Sequence, residues 1–185
     1  MRKVFLFMMI SLDGYFEGEN HDLSWHHVDG EFGDFAVKQL DDIDTLLFGR
    51  TTYDMMASFW PTEQAIKDDR ETAERMNTKA KIVFSHTLEK ADWHNTTIVK
   101  DDIEGFIEQL KTASGKDIAI FGSNNLMVHL TELGLVDEYR IMVNPVIIGK
   151  GTLLFEGIKE KLSLQLLQTR KFRNGNVLLT YKPTT

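Results

Sequence analysis

The chain has 185 residues, no cysteine and a formal net charge of −7. That length suits one domain, residues 1–185, with room for a sizeable core and a cleft. Without cysteine there is no disulfide framework, thiolate metal site or thiol nucleophile, and an acidic balance argues against a sequence-independent nucleic-acid or anionic-membrane binder. No apolar run approaches the roughly 20 residues of a membrane span, so a cytoplasmic protein with no nucleic-acid or membrane partner is expected.

Met1-Arg2-Lys3 and the apolar run 4–10 have the outline of a signal peptide, but the run is short and ends in Ser11-Leu12-Asp13-Gly14 without a small-residue cleavage site. It reads as a buried first strand. Residues 14–30 form a polar loop with Trp25 and three histidines, of the length used for lids or binding elements. Phe32, Phe35, Ala36 and Leu40 then fall on one face of a helix over 31–40. A strand over 45–48 delivers Gly49, and a helix over about 51–59 is stopped at Trp60-Pro61, because proline disfavours helix at the residue before it. The charged segment 62–76 reads as one solvated helix. Strands follow at 81–84 and 96–99, a helix at 103–110 capped by Asp101-Asp102, a strand at 118–121, and a helix at 124–133 closed by Gly134.

Up to Gly134 strands and helices alternate, which predicts an α/β fold with a mixed, mostly parallel sheet flanked by helices. Beyond it, residues 136–143, 162–171 and 176–182 read as long strands, the last two joined by a turn with an Asn174-Gly175 hairpin signal. Antiparallel C-terminal strands are therefore expected on the same sheet.

Twice a strand ends at a glycine and turns at once into a helix, at Gly49-Arg50-Thr51-Thr52 and at Gly122-Ser123-Asn124-Asn125. Such junctions aim backbone amides and the positive end of a helix dipole at a phosphate. Arg50 adds a guanidinium, and the two threonines add hydroxyls. The same residues also suit plain N-caps and tight strand-to-helix turns. Trp25, Tyr53, Phe59 and Trp60 offer aromatic faces for a planar heterocycle, or are core. His21, His26 and His27 lack metal-ligand spacing and read as solvated, so no metal is expected.

Six motifs resemble, in order, the dihydrofolate reductase superfamily, most closely the C-terminal reductase domain of the riboflavin-biosynthesis protein RibD. They are Ser11-Leu12-Asp13-Gly14, Leu47-Phe48-Gly49-Arg50-Thr51-Thr52-Tyr53, Val83-Phe84-Ser85, Phe121-Gly122-Ser123, Leu135-Val136-Asp137-Glu138, and Asn144-Pro145-Val146-Ile147-Ile148-Gly149-Lys150-Gly151. The resemblance implies a dihydrofolate reductase-like fold and an NADPH cleft over the sheet edge. Gly49, Arg50, Thr51, Thr52, Gly122, Ser123, Asn124 and Asn125 would hold the cofactor, with Ser85 and His86 at its 2′-phosphate. Trp25, Asp34, Tyr53, Trp60, Pro145, Gly149 and Gly151 would face the substrate. Asp13 is either the first residue of an Asp-Gly turn or a catalytic carboxylate whose desolvation raises its pKa toward proton donation. Glu31 and Asp34 both lie near the position where dihydrofolate reductases carry an acidic residue.

The implied activity is NADPH-dependent hydride transfer to a pterin-, pyrimidine- or ribosylaminopyrimidine-like heterocycle, in the manner of a 5-amino-6-(5-phosphoribosylamino)uracil reductase. A phosphorylated substrate would call for a cationic site, for which Lys150 is the only lysine in the nearby motif. The alternatives are a true dihydrofolate reductase, a non-catalytic NADPH-binding protein, and an interaction protein with an empty cleft. Related reductases commonly dimerise, so a homodimer is expected.

Overall fold

The computed structural model describes residues 1–184. Its centre is a set of parallel strands rich in apolar residues, β1 wholly so, as strands covered on both faces require. These are β1 (Val4–Ile10), β3 (Ile43–Gly49), β4 (Ala80–Phe84), β5 (Thr96–Val99), β6 (Asp117–Ile120) and β7 (Glu138–Val143), with β2 (Tyr15–Glu17) set apart from them. With β9 (Leu164–Lys171) and β10 (Val177–Pro183) they form an eight-stranded sheet in the order β5-β4-β3-β6-β1-β7-β10-β9. A separate two-stranded ribbon pairs β2 with β8 (Thr152–Leu153).

Helices cover both faces. On one lie α5 (Ile103–Thr112) and α6 (Asn124–Glu132); on the other lie α1 (Gly30–Asp41), α2 (Arg50–Phe59) and α4 (Arg70–Thr78), with α3 (Glu63–Asp68) leading into α4. The period of two in β1 shows the division directly. Val4, Leu6 and Met8 pack with Ile107, Met127 and Leu130 beneath α5 and α6, whereas Phe5 packs with Leu40, Tyr53 and Met76 on the opposite side.

The α/β class, the mostly parallel sheet and the antiparallel C-terminal strands match the expected architecture, with three local differences. Residues 136–143 do not begin the antiparallel part: β7 runs parallel to β1, pairing Phe5 with Glu138 and Ile10 with Val143. The reversal comes one strand later, where β10 pairs antiparallel with both β7 and β9. The charged segment 62–76 is two helices, because Asp69 leaves helical geometry (φ −148°, ψ 79°) and caps the amide of Thr72. The loop 14–30 contains β2 and a turn of 3₁₀ helix, Glu19–His21.

Candidate functional site

The strand order sets the site. With β4, β3, β6 and β1 adjacent and parallel, their carboxyl ends bring Ser85, Gly49, Gly122 and Ser11 to one edge of the sheet, where open α/β sheets bind ligands. The two glycine junctions meet there. The Gly49 amide donates to the Gly122 carbonyl at 3.3 Å. A Cβ on Gly49 would lie 2.1 Å from Ser123 Oγ, and one on Gly122 would lie 2.9 Å from Thr52 Oγ1. Gly122 also has φ 108°, a conformation that L side chains rarely adopt. Both positions therefore need glycine, one for space and the other for space and conformation.

The helices that start at these junctions differ from the rest. α1, α3, α4 and α5 are each capped by a side chain, from Asp29, Thr62, Asp69 and Asp102, and each has an acidic residue in its first turn. α2 and α6 have neither a side-chain cap nor a first-turn acid. Their first-turn amides have no side-chain acceptor, and their positive dipole ends have no carboxylate within the first turn. Asn124 Oδ1, at the start of α6, is buried without a hydrogen-bond partner. Arg50 is half-exposed and bonded to Asp54 Oδ2 at 2.5 Å, one turn along α2. Thr51 is exposed and Thr52 half-buried.

Beside this edge, on the α1, α2 and α4 face, is a cavity of about 740 Å³, a size typical of small-molecule sites. Thr51, Thr52 and Gly122 belong to its wall and join it to the glycine junctions. Most of the remainder is apolar, including Phe7, Phe32, Met55, Met56, Trp60 and Phe121. The acids in the wall are Glu17, Asp29 and Asp69, and no lysine or arginine among the described residues lines it. Each acid is engaged: Glu17 with His21 and Thr152, Asp29 as the cap of α1, and Asp69 as the cap of α4.

Several sequence expectations change here. Asp13 is not a carboxyl with a raised pKa. Hydrogen bonding from Ser11, with further bonds from the amides of Gly149 and Ile148 (2.8 and 3.2 Å), outweighs desolvation and holds it below the usual aspartate range. Asp13 ties the strand-one turn to the loop after β7. Tyr53 is core, 3 % exposed, packed edge-on to Phe48 and tilted against Trp93, and its hydroxyl accepts from the Trp93 amide at 3.3 Å. Asp34 is exposed on the outer side of α1 and does not line the cavity, since Phe32, Gly33 and Ala36 occupy the inner side. Glu31 binds Arg170 and the Arg173 amide, which lower its pKa, the amide most.

The remaining candidates are placed as follows. Trp60 lines the cavity and donates its indole N–H to Met56 Sδ at 3.0 Å. Trp25 lies outside the wall and bonds the Asp22 carbonyl, and Phe59 is exposed. Ser85 Oγ accepts from the amides of Thr87 and Leu88, and exposed His86 sits 3.8 Å from Asp101. Pro145 packs against Gly175, while Gly149 and Gly151 flank Lys150 before β8. Asn125 is exposed.

Two residues of the wall, His26 and Thr72, carry buried polar atoms without a partner. His26 was expected in solvent, yet it is half-buried in the wall, its Nε2 has no hydrogen-bond partner, and its pKa is lowered chiefly by burial. Thr72, 7 % exposed, also lines the cavity with its Oγ1 unpartnered. Nothing local marks either one, because both are buried by contacts distant in sequence. The loop carrying His26 is pinned by the His27 amide to Asn144 Oδ1 and by Asn176 to the His27 carbonyl.

The model of the RibD C-terminal domain matches residues 2–178. The uncharacterized protein YyaP of Bacillus subtilis (strain 168) is 34% identical over 182 residues, covering 97% of this chain and 94% of that protein. The crystal structure of a putative riboflavin biosynthesis protein from Shewanella sp. PV-4 is similar with a TM-score of 0.77 and 23% identity, covering 99% of both chains. A dihydrofolate reductase from Enterococcus faecalis, solved with NADP(H), gives a TM-score of 0.67 at 15% identity, covering 99% of this chain and 97% of that one. The last two are likenesses of fold.

Proposed function

The chain belongs to the RibD C-terminal domain family, a family of riboflavin-type reductases, and we propose that it is an NADPH-dependent reductase. The observation that carries this reading is the pair of uncapped helix starts at the glycine junctions. The cradle fits a dinucleotide. Gly49 and Gly122 let the two junctions close against Ser123 and Thr52, the first-turn amides of α2 and α6 brought together there suit the phosphate groups, and Asn124 offers an unused acceptor. Arg50 would exchange its exposed Asp54 partner for a phosphate, while Ser85 and His86 stand at the carboxyl end of β4 for the 2′-phosphate.

When bound, the cofactor supplies the hydride. The chain supplies position and a dry wall: Thr51, Thr52 and Gly122 adjoin the 740 Å³ cavity, and Trp60, Phe7 and Met56 exclude water around a planar acceptor. Asp13, bonded to Ile148 and Gly149, acts here by fixing the loop 144–151 against the first turn. The acceptor's proton comes from solvent or from a group in the cavity wall.

The test is a thermal-shift titration with NADPH and NADH. NADPH raises the melting temperature more than NADH does, and Arg50→Met weakens NADPH about tenfold, the scale of one charge-assisted hydrogen bond. No shift with either nucleotide at millimolar concentration would overturn the reading.

A further inference from the structure

We infer that the cavity beside the glycine junctions takes an uncharged, largely apolar, planar carbonyl compound of the quinone class, with Thr72 and His26 as its polar anchors. The identification of this cavity as the substrate site rests on the reductase reading; the binding itself does not. Three observations carry the inference.

First, the charge of the wall is wrong for a phosphorylated ligand. Its ionisable acids are Glu17, Asp29 and Asp69, and no lysine or arginine among the described residues faces it. Lys150 is exposed and outside the wall. Arg140, which reaches Gln39 at 3.3 Å, is also outside it and is ion-paired with Glu138 at 2.6 Å. A phosphate monoester would lose its hydration and meet carboxylates.

Second, the polar groups that α1 brings to the cavity are already used: its cap Asp29 accepts from the Phe32 amide and Gln39 Oε1 accepts from Arg140, Glu31 is bound to Arg170 and Asp34 is exposed, which leaves Phe32, Gly33 and Ala36 as the facing surface. An aminopyrimidine edge would have to compete for acids already engaged, Asp29 and Asp69 by the helix amides they cap and Glu17 by His21 and Thr152. The wall instead offers aromatic and thioether surface, suited to a neutral ring.

Third, two polar atoms in this apolar wall are orphaned. Buried polar groups are nearly always satisfied, so an exception needs a reason. Thr72 Oγ1 and His26 Nε2 both lack a partner, and both residues line the same cavity. The hydroxyl can donate to a carbonyl oxygen. The imidazole can donate or accept at Nε2, according to which nitrogen holds the proton, so it suits a carbonyl and the corresponding hydroxyl alike.

Menadione is a direct probe, because the chain has no cysteine for it to alkylate. Calorimetric titration into the protein without nucleotide should show saturable binding at micromolar concentration. Thr72→Val and His26→Phe should each weaken it at least threefold with melting temperatures close to that of the parent, and uridine 5′-monophosphate should give no binding. Absence of saturable menadione binding, affinity unchanged in both variants, or tighter binding of uridine 5′-monophosphate would each overturn the inference. If NADPH shifts the melting temperature and menadione does not bind, the substrate class falls and the reductase reading stands. If menadione binds and NADPH does not, the binding site stands and the reductase reading falls.

Discussion

Gly49 and Ser123 occupy the same small volume at the crossing of the two strand-to-helix junctions: a Cβ on Gly49 would lie 2.1 Å from Ser123 Oγ and 3.1 Å from Ser123 Cβ. The contact couples β3 to the start of α6 and holds both helix N-termini at one place. Gly49→Ala is therefore expected to destabilise the protein by about 1–3 kcal/mol, the cost of overpacking a tight contact, and to weaken NADPH at the same time. Adding Ser123→Gly removes the opposing hydroxymethyl group and should restore most of the stability. Chemical denaturation of the two single variants and the double variant measures the coupling. Additive losses would show that the clash is not what makes alanine costly.

Asp13 provides a second test, because its bonds assign it to the loop rather than to proton donation. Its lowered pKa means that the folded protein favours the carboxylate. The stability it contributes is present above its unfolded value of 3.8 and is lost as pH falls through the lower folded value. Asp13→Asn keeps the shape but loses acceptor capacity toward the amides of Ile148 and Gly149. We expect faster hydrogen exchange at those two amides, with any reductase activity retaining its pH profile near neutrality. A shifted neutral pH profile would return Asp13 to the chemistry.

The parts of this molecule that were legible in its sequence are those fixed by local geometry. Aspartate at 102 and the Asn174-Gly175 turn each satisfy a demand made within a few residues, and each is found in its expected role, whereas glycine at 49 and 122 stands at the expected strand-to-helix junctions but leaves its space to Ser123 and Thr52, about 70 residues away. Strand direction is not such a property. Residues 138–143 carry the same alternation whether they run with or against β1, and the crossover through α6 decides between the two. Tyr53 and Thr52 are neighbours on one helix, yet one fills the core beside Trp93 and the other faces the cavity. Which way α2 rolls depends on β4 and Trp93, far along the chain. His26 carries no local signal for the same reason: its burial comes from a polar loop folding back onto Asn144 and Asn176.

A buried lysine gives the fold a pH dependence of its own. Lys81, on β4, is 0 % exposed and donates to the carbonyls of Met76, Asn77 and Lys79 at 3.0, 3.1 and 2.8 Å, with its ammonium 4.6 Å from the Trp93 ring centroid. Burial, and then the like charge of Lys79, pushes it down to about 8 from 10.5. Between these values the unfolded chain binds more protons than the folded one, so stability rises with pH through that window, and the cost is fully present below it. Relative to Lys81→Met, the parent should gain about 2–3 kcal/mol between pH 7 and pH 10, read by urea denaturation. A difference independent of pH would mean that the three carbonyls hold the ammonium as strongly as water does.

The outer edge of the sheet carries the last prediction. β9 has one neighbour, β10, so one row of its backbone amides and carbonyls has no strand partner in the sheet. Natural edge strands are usually protected by charge, proline or brevity. β9 is eight residues long, and its first four residues, Leu164-Gln165-Leu166-Leu167, carry no charge. Leu166 and Leu167 are 49% and 48% exposed, and Leu162 and Leu164 are also exposed. Antiparallel pairing of β9 with its copy about a twofold axis would satisfy the backbone row and cover these side chains, since a twofold interface brings the same patch to itself. Light scattering at micromolar concentration should then give twice the 21.3 kDa chain mass. Leu166→Lys would place like charges near one another across the axis and should shift the protein to monomer without lowering its melting temperature at high dilution. A parent that is monomeric at these concentrations would leave β9 as a solvated edge and remove the dimer from the account.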